Sequence, residues 1–337
     1  MSKKNYVKLN ETNLDNVLQP ASKHSYVLLG ESTHGTDEYF AIRLKLTKDM
    51  ISKHRYSVVL FETEWSLGYE INKYIHRTID EDPVKLLNKL SKKYPRWILY
   101  NKYVLDLMKF LREWNDTHAK KVYFYGIDCQ DINLARKNMC HEKNLNCGIV
   151  NDIIKNYKNM ASSSKYWDIR DSFWFHIINT INADRTMKTP AKFILWAHNS
   201  HIGNINANKN NHNTVNIGSL LEAIYDIYNI GFSTYNGTVR ASTRWNSPSK
   251  IFKLNPAIKT SYEYDFHKIC IAKKWPGIIY RTNKTPLDIT YKQFRYIGVV
   301  YVPSSEKSSH YQLTNLNHEY DVVIFIDKTS ALPLITE

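Results

Sequence analysis

Short continuous runs of apolar residues, separated by stretches with helical periodicity, are the feature that most limits the folds available to this chain. Continuous rather than alternating apolar strands are typical of a sheet buried on both faces. The helical stretch 37–53 lies between the first two runs, which predicts a β-α-β unit and parallel pairing. We therefore predict an α/β fold with a mostly parallel central sheet flanked by helices. The seven predicted strands are Tyr26–Leu29, Ser57–Phe61, Val122–Tyr125, Phe193–Trp196, Ile230–Thr234, Ile297–Val302 and Val322–Ile326.

The length and the distribution of helical patterns predict the domain organisation. At roughly 100 to 200 residues per domain, one large domain can account for this chain, and we predict a single domain over residues 1–337. No convincing strand lies between Asn133 and Met187, where residues 149–160 and 167–181 have helical periodicity. We expect a helical insertion over about residues 131–190, bordering the cleft.

Charge and hydropathy restrict the classes of partner. Lys and Arg total 46 against 32 Asp and Glu, a net charge of +14, but no basic block of five or more residues stands out. Nucleic-acid binding is therefore not favoured. No apolar run approaches the ~20 residues of a membrane helix, and the charged first residues are unlike a secretory signal. We predict no membrane association and a cytoplasmic location.

The four cysteines, which form no C-x-x-C pair and match no zinc spacing, are expected to be free thiols: Cys129, Cys140, Cys147 and Cys270.

Titratable residues follow four of the predicted strands. The first strand leads into the loop 30–35, whose two glycines are expected to let the backbone turn sharply. If the strands are parallel, their carboxyl ends lie at one edge of the sheet, where open α/β sheets bind ligands. Convergence of titratable groups in a cleft is typical of a catalytic site. The predicted catalytic residues are Glu31, His34, Glu62, His198 and His201, with Asp128 among the substrate-binding residues.

This residue set is compatible with two kinds of chemistry. A histidine with a pKa near 6.5 can take a proton from water at neutral pH, and Glu31 or Glu62 can hold it in the required tautomer. Two or three histidines with carboxylates are also the ligands of a catalytic zinc or manganese site. Serine catalysis is not favoured, because Ser32 does not lie in a Gly-x-Ser-x-Gly elbow. We favour a metal-independent reaction without a cofactor, with a divalent metal such as Zn or Mn as the alternative.

Arg43 is predicted to point inward. It shares a helix face with apolar side chains, so it requires a carboxylate partner, which Glu31 or Glu62 could provide. In such a pair its positive charge could also stabilise a developing oxyanion. We therefore predict that Arg43 is buried and contributes to substrate binding. The alternative is an arginine whose aliphatic stem lies along the rim of the fold.

These residues resemble the erythromycin esterase family over most of the chain, from residue 25 to about 330. The first loop and the His-Asn-x-His segment are the most specific matches. The matching segments, in the order in which the family has them, are Gly30–Gly35, Arg43, Phe61-Glu62, Gly126–Gln130, Arg170-Asp171, Trp196–Ile202, Tyr320-Asp321 and Ile326-Asp327.

The resemblance implies an α/β core with helical additions and hydrolysis of an ester, in the best-known members a macrolide lactone, by water without a covalent intermediate. His34 is then the general base, Arg43 orients an acid, and Glu31, Glu62, His198 and His201 shape the site. The predicted substrate-binding residues are Arg43, Asp128, Arg170 and His176. Two features depart from the family. The sequence Ser172–His176 replaces the family's Met-Ala-Glu-Asn type segment after Arg170, so the role of that glutamate is lost or has moved to His176. The segment between Asp128 and Arg170 is also short, which weakens the case for a macrolide substrate.

The rival interpretation comes from a different functional class. A family member that has lost catalysis could use its basic surface to bind an anionic partner. The presence of the complete Glu and His set favours the enzyme, because a degenerate relative is expected to lose part of it. We therefore predict a hydrolase acting on a small-molecule ester or lactone.

Overall fold

The computed structural model describes residues 5–92, 95–140, 144–184, 191–211, 213–282 and 290–335. The strands are β1 (Tyr6–Lys8), β2 (Tyr26–Leu29), β3 (Val58–Glu64), β4 (Tyr123–Asp128), β5 (Phe193–Trp196), β6 (Ile227–Ala241), β7 (Lys250–Leu254), β8 (Gly277–Arg281), β9 (Lys292–Arg295), β10 (Tyr311–Thr314) and β11 (Val322–Thr329).

The α-helices alternate with these strands. They are α1 (Glu11–Ala21), α2 (Asp37–His54), α3 (Trp65–Ile75), α4 (Pro83–Leu90), α5 (Lys102–Thr117), α6 (Ile132–Lys137), α7 (Leu145–Ala161), α8 (Tyr166–Ala183), α9 (Asn199–Ile202), α10 (Ile217–Glu222), α11 (Tyr262–Lys273), α12 (Glu306–Ser309) and α13 (Leu316–Glu319). In the part of the chain that is described, none of these helices combines the length and apolar character needed to span a membrane.

A nine-stranded sheet forms the centre of the molecule, in the order β1-β8-β11-β6-β2-β5-β3-β4, with β7 paired to β6. The six strands from β11 to β4 run parallel to one another. Strand β8 pairs antiparallel with β11, β7 pairs antiparallel with β6, and β1 pairs antiparallel with β8. This confirms the predicted α/β fold with a mostly parallel sheet. Strands β2 and β3 are parallel but not adjacent, because β5 lies between them.

Both faces of the sheet are covered, as the continuous apolar strands predict. Val27 and Leu29 of β2 belong to one buried apolar cluster, and Tyr26 and Leu28 to the other. Side chains from α1, α2 and α5 contribute to the first cluster, and side chains from α7, α8 and α11 to the second. Since successive residues of a strand point to opposite faces, the strand must be apolar throughout.

The strand register brings the functional segments to one edge. Leu29 of β2 and Phe61 of β3 both lie opposite Trp196 of β5, and Phe61 also lies opposite Gly126 of β4. The loop after β2, the end of β3, the end of β4 and the start of α9 therefore occupy the same edge of the sheet.

The predicted strand Ile297–Val302 is wrong. Ile297 and Val300 make only isolated bridges, with Thr33 and Ser242 respectively. The backbone N–H of Ile297 donates to the carbonyl of Ser32 at 2.7 Å. This segment therefore crosses the carboxyl edge of the sheet instead of entering the sheet. Five short strands, β1, β7, β8, β9 and β10, were not predicted. Of these, β1, β7 and β8 join the central sheet by antiparallel pairing, and β9 and β10 form a separate two-stranded sheet.

The segment between β4 and β5 is helical where it is described. It contains α6, α7 and α8, and residues 141–143 and 185–190 of the predicted insertion lie outside the described residues. Residues from α6 and α8 line the cleft at the carboxyl edge of the sheet.

The expectation of four free cysteines is wrong. Cys140 and Cys147 form a disulfide, with their Cα atoms 5.3 Å apart, while Cys129 and Cys270 are free and buried. Cys140 follows α6 and Cys147 lies in the first turn of α7, and these two helices pack against each other, so the cysteines meet without a C-x-x-C spacing. Disulfides are typical of oxidising compartments, and a cytoplasmic chain would be expected to keep these thiols reduced.

Loss of this cross-link is expected to destabilise the fold. Cys147→Ser should lower the free energy of unfolding by about 2 kcal/mol, because a bridge over a short loop restricts the unfolded chain. Denaturant unfolding checks this, and wild-type protein under reducing conditions should match the variant. The buried thiol Cys270 lies outside the bridge, so Cys270→Ser should retain the sensitivity to reductant. A wild-type protein equally stable with and without reductant would contradict the prediction.

Candidate active site

A chain of three buried side chains begins in the loop after β2. Glu31 Oε1 lies 2.8 Å from His34 Nδ1, and Glu31 Oε2 accepts a hydrogen bond of 2.6 Å from Arg43 Nη2. All three residues are buried. The carboxylate thus holds the proton on Nδ1 of His34, which leaves Nε2 as the basic nitrogen.

The geometry of the loop depends on close backbone approach. A Cβ on Gly35 would lie 1.9 Å from the carbonyl oxygen of Arg240, and a Cβ on Gly30 would lie 2.2 Å from Asn199 Oδ1. Among the described glycines, only Gly237 has a left-handed φ, of 128°. The two loop glycines therefore allow tight packing, and the expected sharp turn is not their function.

His34 has its second ring nitrogen available. It lines the cleft, and no described group hydrogen-bonds its Nε2. Burial alone would lower the pKa of His34, but the carboxylates of Glu62 and Glu31 outweigh burial and raise the pKa above 6.5. The two carboxylates thus favour the protonated form of this imidazole, and His34 acts as a base only after it has lost that proton.

Glu62 at the end of β3 lies at the centre of the cluster. One oxygen from each of Glu31 and Glu62 and one nitrogen of His34 lie within 4.8 Å of one another. Glu62 Oε2 accepts the backbone N–H of His198 at 2.7 Å. Burial alone would raise the pKa of Glu62, but His201, His34 and Arg170 lower it to about 2. Glu62 is therefore a permanent negative charge beside His34.

His198 is held at both ring nitrogens. Nδ1 lies 2.8 Å from Ser200 Oγ, and Nε2 lies 3.2 Å from the carbonyl oxygen of Ile297, to which it donates. Burial and the nearby His34 lower the pKa of His198 to about 3. The rings of His198 and His34 are 4.9 Å apart between centroids. His198 is thus a neutral ring that packs against His34, and it has no nitrogen left for proton transfer.

His201 forms a second histidine–carboxylate pair. Its Nδ1 lies 2.9 Å from Asp171 Oδ1, and its Nε2 accepts from Arg170 Nη1 at 3.2 Å. Arg170 also binds Asp128 through Nε at 2.9 Å and Nη2 at 2.6 Å, and it lies 3.4 Å from Glu62. This bidentate pair fixes the guanidinium. Arg170 and Asp128 therefore lie in the cluster, as predicted.

Two predicted substrate-binding residues lie elsewhere. Arg43 pairs with Glu31 as predicted, but it is 1% exposed, behind Glu31, and does not line the cleft. The Cζ atom of Arg43 lies 4.3 Å from the ring centroid of Phe40 and 4.6 Å from that of Trp196, and this packing fixes the position of the guanidinium. His176 is half exposed and bonds Asp152 at 2.9 Å, outside the cleft. It is five residues from Asp171 on α8, so the helix turns it to a different face.

The structure adds residues that sequence reasoning did not assign. Asp171 orients His201. Its position next to Arg170 in the family motif is the sequence feature from which this role could have been predicted. Glu64 lines the cleft, and burial and the nearby Asp128 raise its pKa. Val299 lines the cleft from the segment that was wrongly predicted as a strand, and Tyr296 lines it from the position just before that segment.

Ser32 does not face the cleft. Its hydroxyl lies 2.9 Å from that of Tyr39, and both side chains are buried. This position agrees with the prediction that Ser32 is not a nucleophile.

The groups that could hold a metal are Glu31, His34 and Glu62. Both carboxylates already have cationic partners, Arg43 for Glu31 and Arg170 for Glu62. Both oxygens of Glu31 and both oxygens of Glu62 also accept hydrogen bonds. Metal ligation would have to displace these bonds and place a cation near two guanidinium groups, so the donor set fits a divalent ion poorly.

The sequence of the chain matches the model of a known protein family. Residues 51–143 and 134–329 match the family model of erythromycin esterases. The chain belongs to the erythromycin esterase family. Membership of the erythromycin esterase family indicates a hydrolase of the esterase type and a small-molecule substrate.

Solved structures of other proteins share the fold. A succinoglycan biosynthesis protein has 16% identity and a TM-score of 0.75, over 97% of this chain and 95% of that one. A Bacillus cereus protein has 18% identity and a TM-score of 0.77, over 98% and 97%. A mutant of the erythromycin esterase EreC in its open conformation has 14% identity and a TM-score of 0.67, over 100% of both chains. At these identities the similarity establishes the erythromycin esterase fold.

Proposed function

We propose that the protein hydrolyses an ester or lactone by general-base activation of water, with His34 as the base. The observation that carries this proposal is that His34 has Nδ1 held by Glu31 while Nε2 faces the cleft. His198 has both nitrogens bonded, and His201 Nε2 accepts from Arg170. His34 is therefore the histidine best placed to take a proton from a bound water.

In the proposed reaction, the water oxygen attacks the acyl carbon as His34 Nε2 takes its proton. Arg170 lines the cleft, so we assign to it the stabilisation of the oxyanion that was predicted for Arg43. When the tetrahedral intermediate collapses, the bond from the acyl carbon to the alcohol oxygen breaks, and His34 returns the proton to that oxygen. The products are one carboxylic acid and one alcohol.

The charge of the cleft argues against the rival function. Its lining includes seven carboxyl residues and five lysines and arginines, although the chain as a whole carries +14. The excess positive charge therefore lies outside the cleft. A site for an anionic partner should be basic where the partner binds, so the cleft is better suited to a neutral ester.

An esterase panel with purified protein tests the proposal. We expect hydrolysis of at least one ester or lactone, with the same rate before and after treatment with chelator. Metal content is measured on the same preparation. Activity that is lost with chelator and restored by Zn²⁺ or Mn²⁺ would favour the metal alternative. No hydrolysis across the panel would favour the binding protein.

The pH profile provides a further prediction. Since the base must be unprotonated, kcat/KM should rise with pH through an apparent pKa above 6.5, the direction in which Glu62 and Glu31 shift His34. Glu62→Gln removes one of these carboxylates and should move the midpoint to lower pH. A profile that falls with rising pH over this range, or a midpoint unchanged in the variant, would contradict the assignment.

A further inference from the structure

The cleft is larger than a simple ester requires. Its volume is about 1350 Å³, whereas pockets for drug-sized ligands have roughly 300 to 1,000 Å³. The catalytic cluster occupies one part of it, and residues of α4, α6 and α8 line the rest. The ester is therefore expected to be part of a larger molecule.

Exposed aromatic side chains occur only at this cleft and beside it, within the described residues. Of all described Trp, Tyr and Phe side chains, three are classed as exposed: Trp167 at 53%, Trp245 at 57% and Tyr291 at 39%. Trp167 and Trp245 line the cleft. The Trp167 ring lies 6.2 Å from that of His201, directly beside the catalytic cluster. An exposed flat apolar ring at a cleft mouth suits a ligand that presents the C–H face of a sugar ring.

A second groove shares a lining residue with the cleft. Its volume is about 960 Å³, and Gln312 lines both the groove and the cleft. Of the described residues that line the groove, the one charged residue is Lys292, whose ammonium is paired with Asp265, a carboxylate that Lys268 also contacts. The other lining side chains include neutral hydrogen-bonding groups, namely Asn208, Asn210, Thr260, Tyr291, Gln293 and Tyr311. Amides and hydroxyls can both donate and accept, so they match a ligand rich in hydroxyl groups.

We propose that the ester is an O-acyl group on a neutral oligosaccharide. The acyl carbon lies at His34, a sugar ring packs on Trp167 or Trp245, and the chain continues past Gln312 into the groove. The acyl part of this proposal rests on the proposed hydrolysis, which would convert water and the O-acyl sugar to a carboxylic acid and a free sugar hydroxyl. The carbohydrate part rests separately on the exposed aromatic rings and on the groove, whose lining consists mainly of neutral hydrogen-bonding side chains.

Binding is tested independently of catalysis. Isothermal titration calorimetry of His34→Asn protein is carried out with three neutral probes: cellotetraose, maltotetraose and chitotetraose. We expect at least one to bind, and Trp245→Ala in the same background to weaken it by at least about fivefold, the loss typical of truncating an anchoring aromatic residue. Trp245→Phe should retain most of the affinity. Ile271→Ala, an exposed apolar residue at 63% outside the cleft and the groove, is the control.

The outcomes separate this inference from the proposed function. Hydrolysis of p-nitrophenyl acetate by wild-type protein without binding of any tetrasaccharide would support the esterase and overturn the carbohydrate site. Binding without hydrolysis of the acetylated form of the bound tetrasaccharide would support the carbohydrate site and overturn the esterase. Binding that is unchanged in both Trp245→Ala and Gln312→Ala would overturn the location of the site.

Discussion

His34→Asn is expected to lower kcat by at least about 10²-fold, the lower end of the contribution of a positioned general base. Asparagine retains a polar group that can still face Glu31, so the fold should be preserved. KM should change little, since the lost interaction acts on the proton in the transition state. Steady-state kinetics on a substrate found in the panel measures both parameters, and circular dichroism checks the fold.

His176→Asn is the matched control for this experiment. His176 was also predicted from the sequence to belong to the site, but it lies outside the cleft with Asp152 as its partner. Its replacement should leave kcat within about twofold of the wild-type value, as expected for a residue that does not contact the reacting atoms. An unchanged kcat in His34→Asn would mean that His34 is structural. The general-base assignment would then be wrong, because both ring nitrogens of His198 and both of His201 are already bonded.

The parallel core could be predicted because its strands are apolar on both faces. Leu28 and Leu29 of β2 face different buried clusters. A continuous apolar run in the sequence is typical of a strand that is buried on both faces in this way. The order of the strands in the sheet cannot be predicted from such apolar runs. The position of β5 between β2 and β3 depends on how distant segments pack, which local periodicity does not encode.

The candidate site was predictable where residues follow parallel strands. Glu31, His34, Glu62 and His198 converge because strand register aligns the ends of β2, β3 and β5. Prediction failed where side chain direction on a helix decides the outcome. Arg170 and Asp171 face the cleft, whereas His176 on the same helix does not. The disulfide depends likewise on the path between two helices and not on cysteine spacing.

Arg43→Ala is expected to have the largest effect on stability. Arg43 is 1% exposed and is paired with the buried Glu31 carboxylate at 2.6 Å. Removing one partner of a buried ion pair leaves an uncompensated charge and typically costs about 3 to 5 kcal/mol. Arg43→Lys should recover little of this, because an ammonium lacks the flat face that packs on Phe40 and Trp196. Chemical denaturation of each variant measures the change in the free energy of unfolding.

Two comparisons show whether the loss arises from the buried charge. Arg77 makes a two-pronged pair with Asp116 at 2.7 and 2.6 Å on the surface, where solvent screens the attraction, so Arg77→Ala should have a much smaller effect. In Arg43→Ala/Glu31→Gln the unpaired carboxylate is gone, so the double variant should be more stable than Arg43→Ala alone. Activity should be low in the double variant, because Glu31→Gln removes the carboxylate that holds the proton on Nδ1 of His34. A double variant that is less stable than the single one would mean that Arg43 contributes mainly through packing on Phe40 and Trp196.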